Sequence, residues 1–374
     1  MTKKLITLLL IITLLLPTGG AVASTAQTLQ QYQREPDLLF YIDAFQYVKE
    51  RYPFEIEESQ LIESSLKGML QSVDPYSDYY TSEEADEMYG DLLGEFSGIG
   101  IYIEEKNSYI NIVEPIANSP GQEAGLKAND LIVSIDDIDV KGYSSDAAKD
   151  LIRGQKGTKV KLGILRGNKT TPIYIEVIRE DIEINPVEYR IIDKKIGYIK
   201  LIQFTDNAEK EIKNALESFD QENIDKLILD LRNNPGGLLT QAIDISRLFV
   251  LKGPVVHIKE KDKDLVTYVS TNEKLKYDLV LLVNENSASA SEIVAGAIKD
   301  TKAGTIIGNK TYGKGIVQSM LPLANGGVLK LTTAQYLTPN KISIHNQGIT
   351  PDLQIQNTNN QDLQLKKAVE ILSQ

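Results

Sequence analysis

The hydrophobic positions change period along the chain, and each change marks a segment. Leu5 to Leu16 is almost wholly apolar behind Lys3 and Lys4, breaks at Pro17 and ends in the small residues Ala21-Val22-Ala23. A basic start, an apolar run and a small-residue cleavage pattern describe a signal peptide over residues 1–23. The uncharged stretch also approaches the roughly 20 residues that span a bilayer, so an uncleaved membrane anchor is the alternative. Residues 24–36 are polar, rich in glutamine and without period, and read as a linker. Over residues 37–94 apolar side chains return at helical spacing, first Leu38, Leu39, Ile42, Phe45 and Val48, then Leu61, Ile62, Leu66, Met69 and Leu70. They predict an amino-terminal helical region. Asp74-Pro75-Tyr76-Ser77 interrupts it as a turn, and its tyrosine reads as packing.

Across residues 95–181 the pattern shifts to short alternating strands separated by glycine turns, with Ser144 to Ile152 as a helix. Residues 182–350 then alternate strand-like and helix-like runs: Ile196 to Ile202, Ala208 to Phe219, Lys226 to Leu231, Gln241 to Phe249, Leu279 to Val283 and Gly304 to Gly308. That order predicts an α/β domain. Gly327 to Leu337 continues as strand. Within the tail, residues 351–374, Asp362 to Ser373 has the pattern of a short amphipathic helix that could pack on a partner subunit.

The candidate chemistry lies where strands of the α/β region turn into helices. Leu279 to Val283 leads through Asn284-Glu285-Asn286 into Ser287-Ala288-Ser289-Ala290-Ser291-Glu292, after which Ile293, Val294, Ala297 and Ile298 repeat at helical spacing. The first N–H groups of a helix have no partners inside it and favour negative charge, so a serine there sits beside donors for a developing oxyanion. The same Ser289-to-Glu292 spacing fits a capping box, which taken alone is the commoner meaning.

A base decides between the two. The chain has only two histidines, His257 and His345, and neither stands in a triad-like motif. Tyr312-Gly313-Lys314-Gly315-Ile316-Val317-Gln318 instead offers a lysine between glycines; if the segment is extended, Lys314, Ile316 and Gln318 share one face. Lysine acts as a base only when neutral, which requires lowering its pKa from about 10.4 toward 7, and burial does this. A third junction, Leu227-Ile228-Leu229-Asp230-Leu231-Arg232-Asn233-Asn234-Pro235-Gly236-Gly237, ends a strand in glycines that leave N–H groups open to a ligand. Ligands of open α/β sheets gather at the carboxyl ends of strands, so the two junctions can face one site.

S-A-S-A-S-E, followed by Y-G-K-G-x-x-Q and preceded by L-D-L-R-N-N-P-G-G, resembles the carboxyl-terminal processing peptidases, serine proteases that carry a PDZ domain. The resemblance implies Ser289 as nucleophile, Lys314 as general base and Gln318 as the residue that positions the lysine. It also implies oxyanion donors at Ala290 and at the Gly236-Gly237 turn, with the choice between the glycines open. Ser287 and Ser291 are close decoys, and the family pattern selects the middle serine. Ser97-Gly98-Ile99-Gly100-Ile101, Ser119 to Leu126 and Asn129 to Ile135 are similar in order and spacing to a PDZ domain. Such a domain takes a free carboxyl terminus as an added strand, here at Gly98, Ile99, Gly100 and Ile101. The family further implies a protease core of the crotonase and ClpP kind, a helical region that joins subunits in a dimer, no cofactor and no metal. Gly348-Ile349-Thr350-Pro351-Asp352 matches its closing motif.

Composition narrows the field. The 374 residues, 42% of them hydrophobic, suffice for more than one domain. Forty basic against 52 acidic side chains give a net charge of −12, which opposes nonspecific attraction to nucleic acid. Zero cysteines exclude disulfides, thiol nucleophiles and a lipoprotein anchor. Two rivals remain in view. Gly308 to Lys314 has the spacing of a phosphate-binding loop, but Gly315 replaces the magnesium-binding hydroxyl and the following residues alternate as a strand. A non-catalytic PDZ adaptor would have no reason to carry Ser289, Lys314 and Gln318 together. The expectation is therefore an exported, extracytoplasmic endopeptidase that recognises free carboxyl termini of proteins or peptides and touches a membrane only through its amino terminus, if uncleaved.

Overall fold

The computed structural model describes residues 36–374 apart from 168, 184, 359 and 360. The expected signal peptide, residues 1–23, lies outside the described residues, as does most of the linker. Among the described residues no helix is long and apolar enough to cross a membrane.

Helices α1 (Pro36–Arg51) and α2 (Glu58–Gln71) form most of the amino-terminal region. The apolar stripe that makes α1 legible is not buried: Leu39, Ile42 and Val48 are exposed, as are the larger Phe40, Tyr47 and Phe54.

The stretch expected to remain helical up to residue 94 contains a strand, β1 (Asp78–Tyr80), before helix α3 (Ser82–Leu93). Thr81 caps α3 in a reciprocal pair with Glu84, and Gly94 ends it in the left-handed conformation at φ 75°. The hidden strand is explained by its partner, a strand about 250 residues later, which no local pattern announces.

The next domain is entered and left through β2 (Glu95–Gly98) and β9 (Glu180–Glu183), which pair antiparallel. Between them β3 (Ile101–Lys106), β4 (Tyr109–Pro115), β5 (Leu131–Ile135), β7 (Lys159–Leu165) and β8 (Ile173–Ile178) form a sheet in that order, with β6 (Ile138–Asp139) on β5. Short α4 (Pro120–Glu123) and α5 (Ser145–Ile152) complete it. Alternation along the strands sends Ile110, Ile112, Ile132, Leu162 and Ile164 into one buried cluster. Strand β3 is the sheet's edge and α5 packs against it, the groove geometry that accepts an added peptide strand.

The largest region is built on a six-stranded sheet in the order β10 (Val187–Ile192), β11 (Ile196–Leu201), β12 (Lys226–Asp230), β15 (Asp278–Val283), β16 (Thr305–Gly308) and β19 (Leu353–Gln354). All neighbours after the antiparallel β10/β11 pair are parallel. Near-continuous apolar runs such as Leu227-Ile228-Leu229 follow from burial on both faces. Leu227, Leu229, Leu281 and Ile306 face the cluster shared with α6 (Ala208–Gln221), α7 (Leu239–Phe249) and α8 (Ala290–Thr301). Ile228, Val280, Leu282 and Ile307 face the other way, against α9 (Leu363–Leu372). The tail helix thus spends its apolar face, Ala368 and Leu372, on its own sheet, which corrects the expectation that it packs on a partner.

A second sheet, in the order β1, β18 (Val328–Leu337), β13 (Gly253–Glu260) and β14 (Val266–Ser270), has β17 (Ile316–Pro322) paired to β18. It brings the lysine segment toward the carboxyl end of the parallel sheet, where β15 hands over to α8.

Candidate active site

Three serines follow β15, and their surroundings separate them. Ser287 is fully buried; its hydroxyl donates to the Leu231 carbonyl at 2.7 Å and accepts the Asn284 N–H at 2.9 Å. Ser291 is also fully buried and donates to the Asn234 carbonyl at 3.0 Å. Both are fastenings between two strand-to-helix turns. Ser289 is only partly buried and sits at φ 55°, ψ −112°, a conformation that a side chain adopts only under constraint. It is an elbow that presents its hydroxyl at the head of α8.

The hydrogen bonds at this helix end leave one donor over. Ser289 N–H goes to Glu292 Oε2 at 3.0 Å, Ser291 N–H to the Ala288 carbonyl at 3.1 Å and Glu292 N–H to the Ser289 carbonyl at 2.8 Å. Among the described residues, no such bond takes the N–H of Ala290.

The Pro-Gly-Gly turn is pressed against this elbow. A Cβ on Gly236 would lie 2.9 Å from both the Ala288 carbonyl oxygen and Ser289 Cβ, and 3.0 Å from Ala290 N. Only glycine permits that approach, and its φ of 107° also requires it. Gly236 N–H donates to Asn234 Oδ1 at 2.8 Å. Gly237 lies beside Phe204, in a bridge that uses the Gly236 carbonyl and the Leu238 N–H. Of the two glycines the sequence left open, Gly236 has its N–H engaged, and among the described residues no hydrogen bond takes that of Gly237. Asn234 is fully buried and holds both turns: its side chain donates to the Leu201 carbonyl at 2.8 Å, and its carbonyl accepts the Ala288 N–H at 3.0 Å.

Lys314 reaches the same place from the loop before β17. Its Nζ donates to Gln318 Oε1 at 3.1 Å, although Lys314 itself lies outside the strand and the register shifts between Val317 and Gln318. Burial, then the charge of Lys330, holds the Lys314 pKa below the ordinary lysine value, against an opposing pull from Asp74.

Two residues read only as cap and strand join the serine elbow to the lysine loop. Glu292 is fully buried; Oε1 accepts from Thr311 Oγ1 at 2.6 Å and Gly313 N–H at 2.7 Å, and Oε2 accepts from Lys314 N–H at 2.8 Å besides Ser289 N–H. Burial raises its pKa, and these donors offset only part of the rise. Tyr336, on β18, donates its hydroxyl to the Ser289 carbonyl at 2.9 Å and contacts the Lys314 carbonyl more closely still. The sequence signal for Glu292 was its position three residues after Ser289; none existed for Tyr336.

A third unforeseen neighbour is Tyr76, whose carbonyl accepts from Gln318 Nε2 and whose ring lies 4.8 Å from Lys314 Nζ. His345 meets the same ring edge-on at 6.4 Å.

The expected peptide-binding residues are in the other domain. Gly98 ends β2, Ile99 is buried, Gly100 turns at φ 68° and Ile101 opens the edge strand β3. At the foot of the groove helix, Arg153 pairs with Asp91 of α3 at 3.3 Å, and the Asp91 carbonyl accepts from Gln203 of the α/β region at 3.1 Å.

Comparison with known proteins agrees with both halves. Residues 195–355 match the model of peptidase family S41, and residues 97–177 match a PDZ domain. A carboxy-terminal-processing protease of Bartonella bacilliformis is 38% identical over 345 residues, covering 90% of this chain and 79% of its own. A protein of Staphylococcus epidermidis designated a CtpA-like serine protease is 36% identical over 85% of this chain and 65% of its own, so the chain spans just under two thirds of that relative. Among solved structures, a photosystem II D1 C-terminal processing protease superposes with a TM-score of 0.53 at 25% identity, covering 91% of this chain and 98% of that one.

Proposed function

The chain belongs to peptidase family S41 as a serine-type peptidase with a PDZ domain, and on that premise we propose that it cleaves proteins near their free carboxyl termini with Ser289 as nucleophile and Lys314 as base. The observation that carries the assignment is the separation of the serines: Ser287 and Ser291 are buried and tied to backbone carbonyls, whereas Ser289 stands at a strained elbow that Glu292 fastens to the lysine loop.

Neutral Lys314 accepts the Ser289 proton as the oxygen attacks the scissile carbonyl. The N–H groups of Ala290 and Gly237 receive the oxyanion, each such donor being worth about 10²–10³ in rate. The lysine then returns the proton to the leaving amine, and water releases the acyl enzyme. Gln318 holds the amine by its carbonyl oxygen without adding charge.

Substrate enters the reading through the PDZ groove, with Gly98 to Ile101 receiving the terminal carboxylate and β3 the peptide strand. The signal-like segment before residue 24 supports an extracytoplasmic location. The exposed apolar residues of α1, Phe40 and Tyr47 among them, support a dimer joined through the amino-terminal helices, without α9.

The test compares one peptide with a free and with an amidated carboxyl end. The free form should be cleaved with the lower KM by wild type and by neither Ser289→Ala nor Lys314→Ala. Equal KM for both forms would remove the terminal-recognition half of the proposal.

A further inference from the structure

Gln318 has an amide whose two ends do opposite things to an amine, so its orientation decides whether Lys314 can act as a base. With the oxygen toward the amine, Lys314 donates one N–H to it and keeps its lone pair free. With the nitrogen toward it, an N–H would occupy that lone pair. The structure has Gln318 Oε1 on Lys314 Nζ at 3.1 Å and Gln318 Nε2 on the carbonyl of Tyr76. A carbonyl accepts only, so Tyr76 forces the productive orientation. We propose that Tyr76 is a positioning residue of the base: its carbonyl fixes the Gln318 amide, and its ring excludes water from one side of the Lys314 amine. The inference rests on the Ser289–Lys314 reading above.

The turn that carries Tyr76 is built to hold it. Asp74 accepts the N–H groups of Tyr76 at 2.7 Å and Ser77 at 2.8 Å, and the Ser77 hydroxyl at 2.9 Å. Ser77 Oγ in turn accepts the Thr332 N–H at 3.1 Å, and Thr332 is the β18 residue paired with Gln318. The turn is therefore registered to the strand pair that carries the positioning amide.

The ring acts in two directions. Its face attracts an ammonium, which favours the charged lysine, while its bulk removes water, which favours the neutral one. Burial is the leading cause of the lowered Lys314 pKa, and the Tyr76 ring, 4.8 Å from the amine, is part of what buries it. The charged and titratable groups around the pair are Asp74 in the turn, Lys330 and Tyr336 on β18, Glu292 on α8, Tyr312 hydrogen-bonded to the Tyr76 hydroxyl, and His345 against the ring. His345 touches the same ring, so His345→Gln is the necessary control.

The experiment measures kcat and KM against pH for wild type, Tyr76→Phe, Tyr76→Ala, Tyr76→Gln and His345→Gln, with thermal unfolding of each as a check on folding. All three Tyr76 variants keep the main-chain carbonyl, so they read the ring; Tyr76→Phe keeps the ring as well and should keep the acid limb. Tyr76→Ala admits water, and Tyr76→Gln brings a solvating amide. Each should move the limb upward by about one pH unit or more and lower kcat at neutral pH about tenfold, since the neutral fraction of a base falls tenfold per unit below its pKa. KM should change little. An acid limb unchanged in whichever of Tyr76→Ala and Tyr76→Gln folds, or moved equally by His345→Gln, overturns the inference. Ser289→Ala and Lys314→Ala are assayed alongside. If either remains active the dyad reading fails, whereas inactive dyad variants with an unmoved Tyr76 limb reject the role of Tyr76 alone.

Discussion

One carboxylate oxygen of Glu292 accepts the backbone N–H of Lys314 at 2.8 Å and that of Ser289 at 3.0 Å, so the residues proposed as base and nucleophile hang from the same atom. The distance between them is set by a buried side chain that need not touch substrate. Glu292→Gln keeps the shape but aims an amide nitrogen at N–H donors. It should destabilise the protein by about 1–3 kcal/mol, the range for a buried polar group left unsatisfied. kcat should fall with KM largely retained, a split that steady-state kinetics and thermal unfolding together resolve.

The three serines should respond differently. Ser287→Ala and Ser291→Ala each remove a buried hydroxyl donor and should lose about 1 kcal/mol or more of stability while retaining turnover. Ser289→Gly should do the reverse: it relieves a backbone conformation costing about 1–3 kcal/mol and abolishes cleavage. A Ser289→Gly protein less stable than wild type would show that the elbow is not strained.

Lys314 carries a stability signature of the opposite sign to an ordinary ion pair. Its folded pKa is depressed below the unfolded value, so the unfolded chain binds more protons between the two, and stability rises with pH across that window. The contribution is fully present above the unfolded pKa, near 10.4, and is lost as pH falls through the depressed one. Lys314→Met should therefore be inactive yet at least as stable as wild type at neutral pH, with its advantage shrinking toward pH 10. Urea denaturation at several pH values measures the difference.

Gly236→Ala tests the approach of the two turns. The added Cβ meets backbone atoms of Ala288 and Ala290 within about 3 Å, and the positive φ is strained for alanine. Displacement of the elbow should lower kcat by about 10²-fold or more, as expected when reacting groups shift by an ångström. Unchanged kcat in a stable variant would mean that the glycine turn does not border the reacting carbonyl.

What was legible in the sequence was local. S-A-S-A-S-E announces a strand-to-helix junction because its small residues and the apolar runs around it are contiguous, and Lys314 and Gln318 are near enough in the chain to meet although Lys314 lies in the loop before β17. Glu292 was visible only as a cap, since its contacts with Thr311, Gly313 and Lys314 come from another element. Tyr76 lies some 240 residues before Gln318 in the chain, in a turn whose own chemistry explains it fully, so nothing nearby marked it. Strand β1 was hidden for the same reason, and the tail helix showed an apolar face without showing which surface would cover it.

The central claim is that Ser289, activated by Lys314, attacks the substrate carbonyl. Its most direct test is labelling with an active-site-directed fluorophosphonate, followed by peptide mass mapping and measurement of the labelling rate against pH. The account predicts one adduct, on Ser289 and on neither Ser287 nor Ser291. It should form at a rate that rises with pH along the same acid limb as catalysis, and more than about 10²-fold more slowly in Lys314→Ala, the lower range for loss of a general base. An adduct on another residue, or labelling of Ser289 at an undiminished rate in Lys314→Ala, would contradict it.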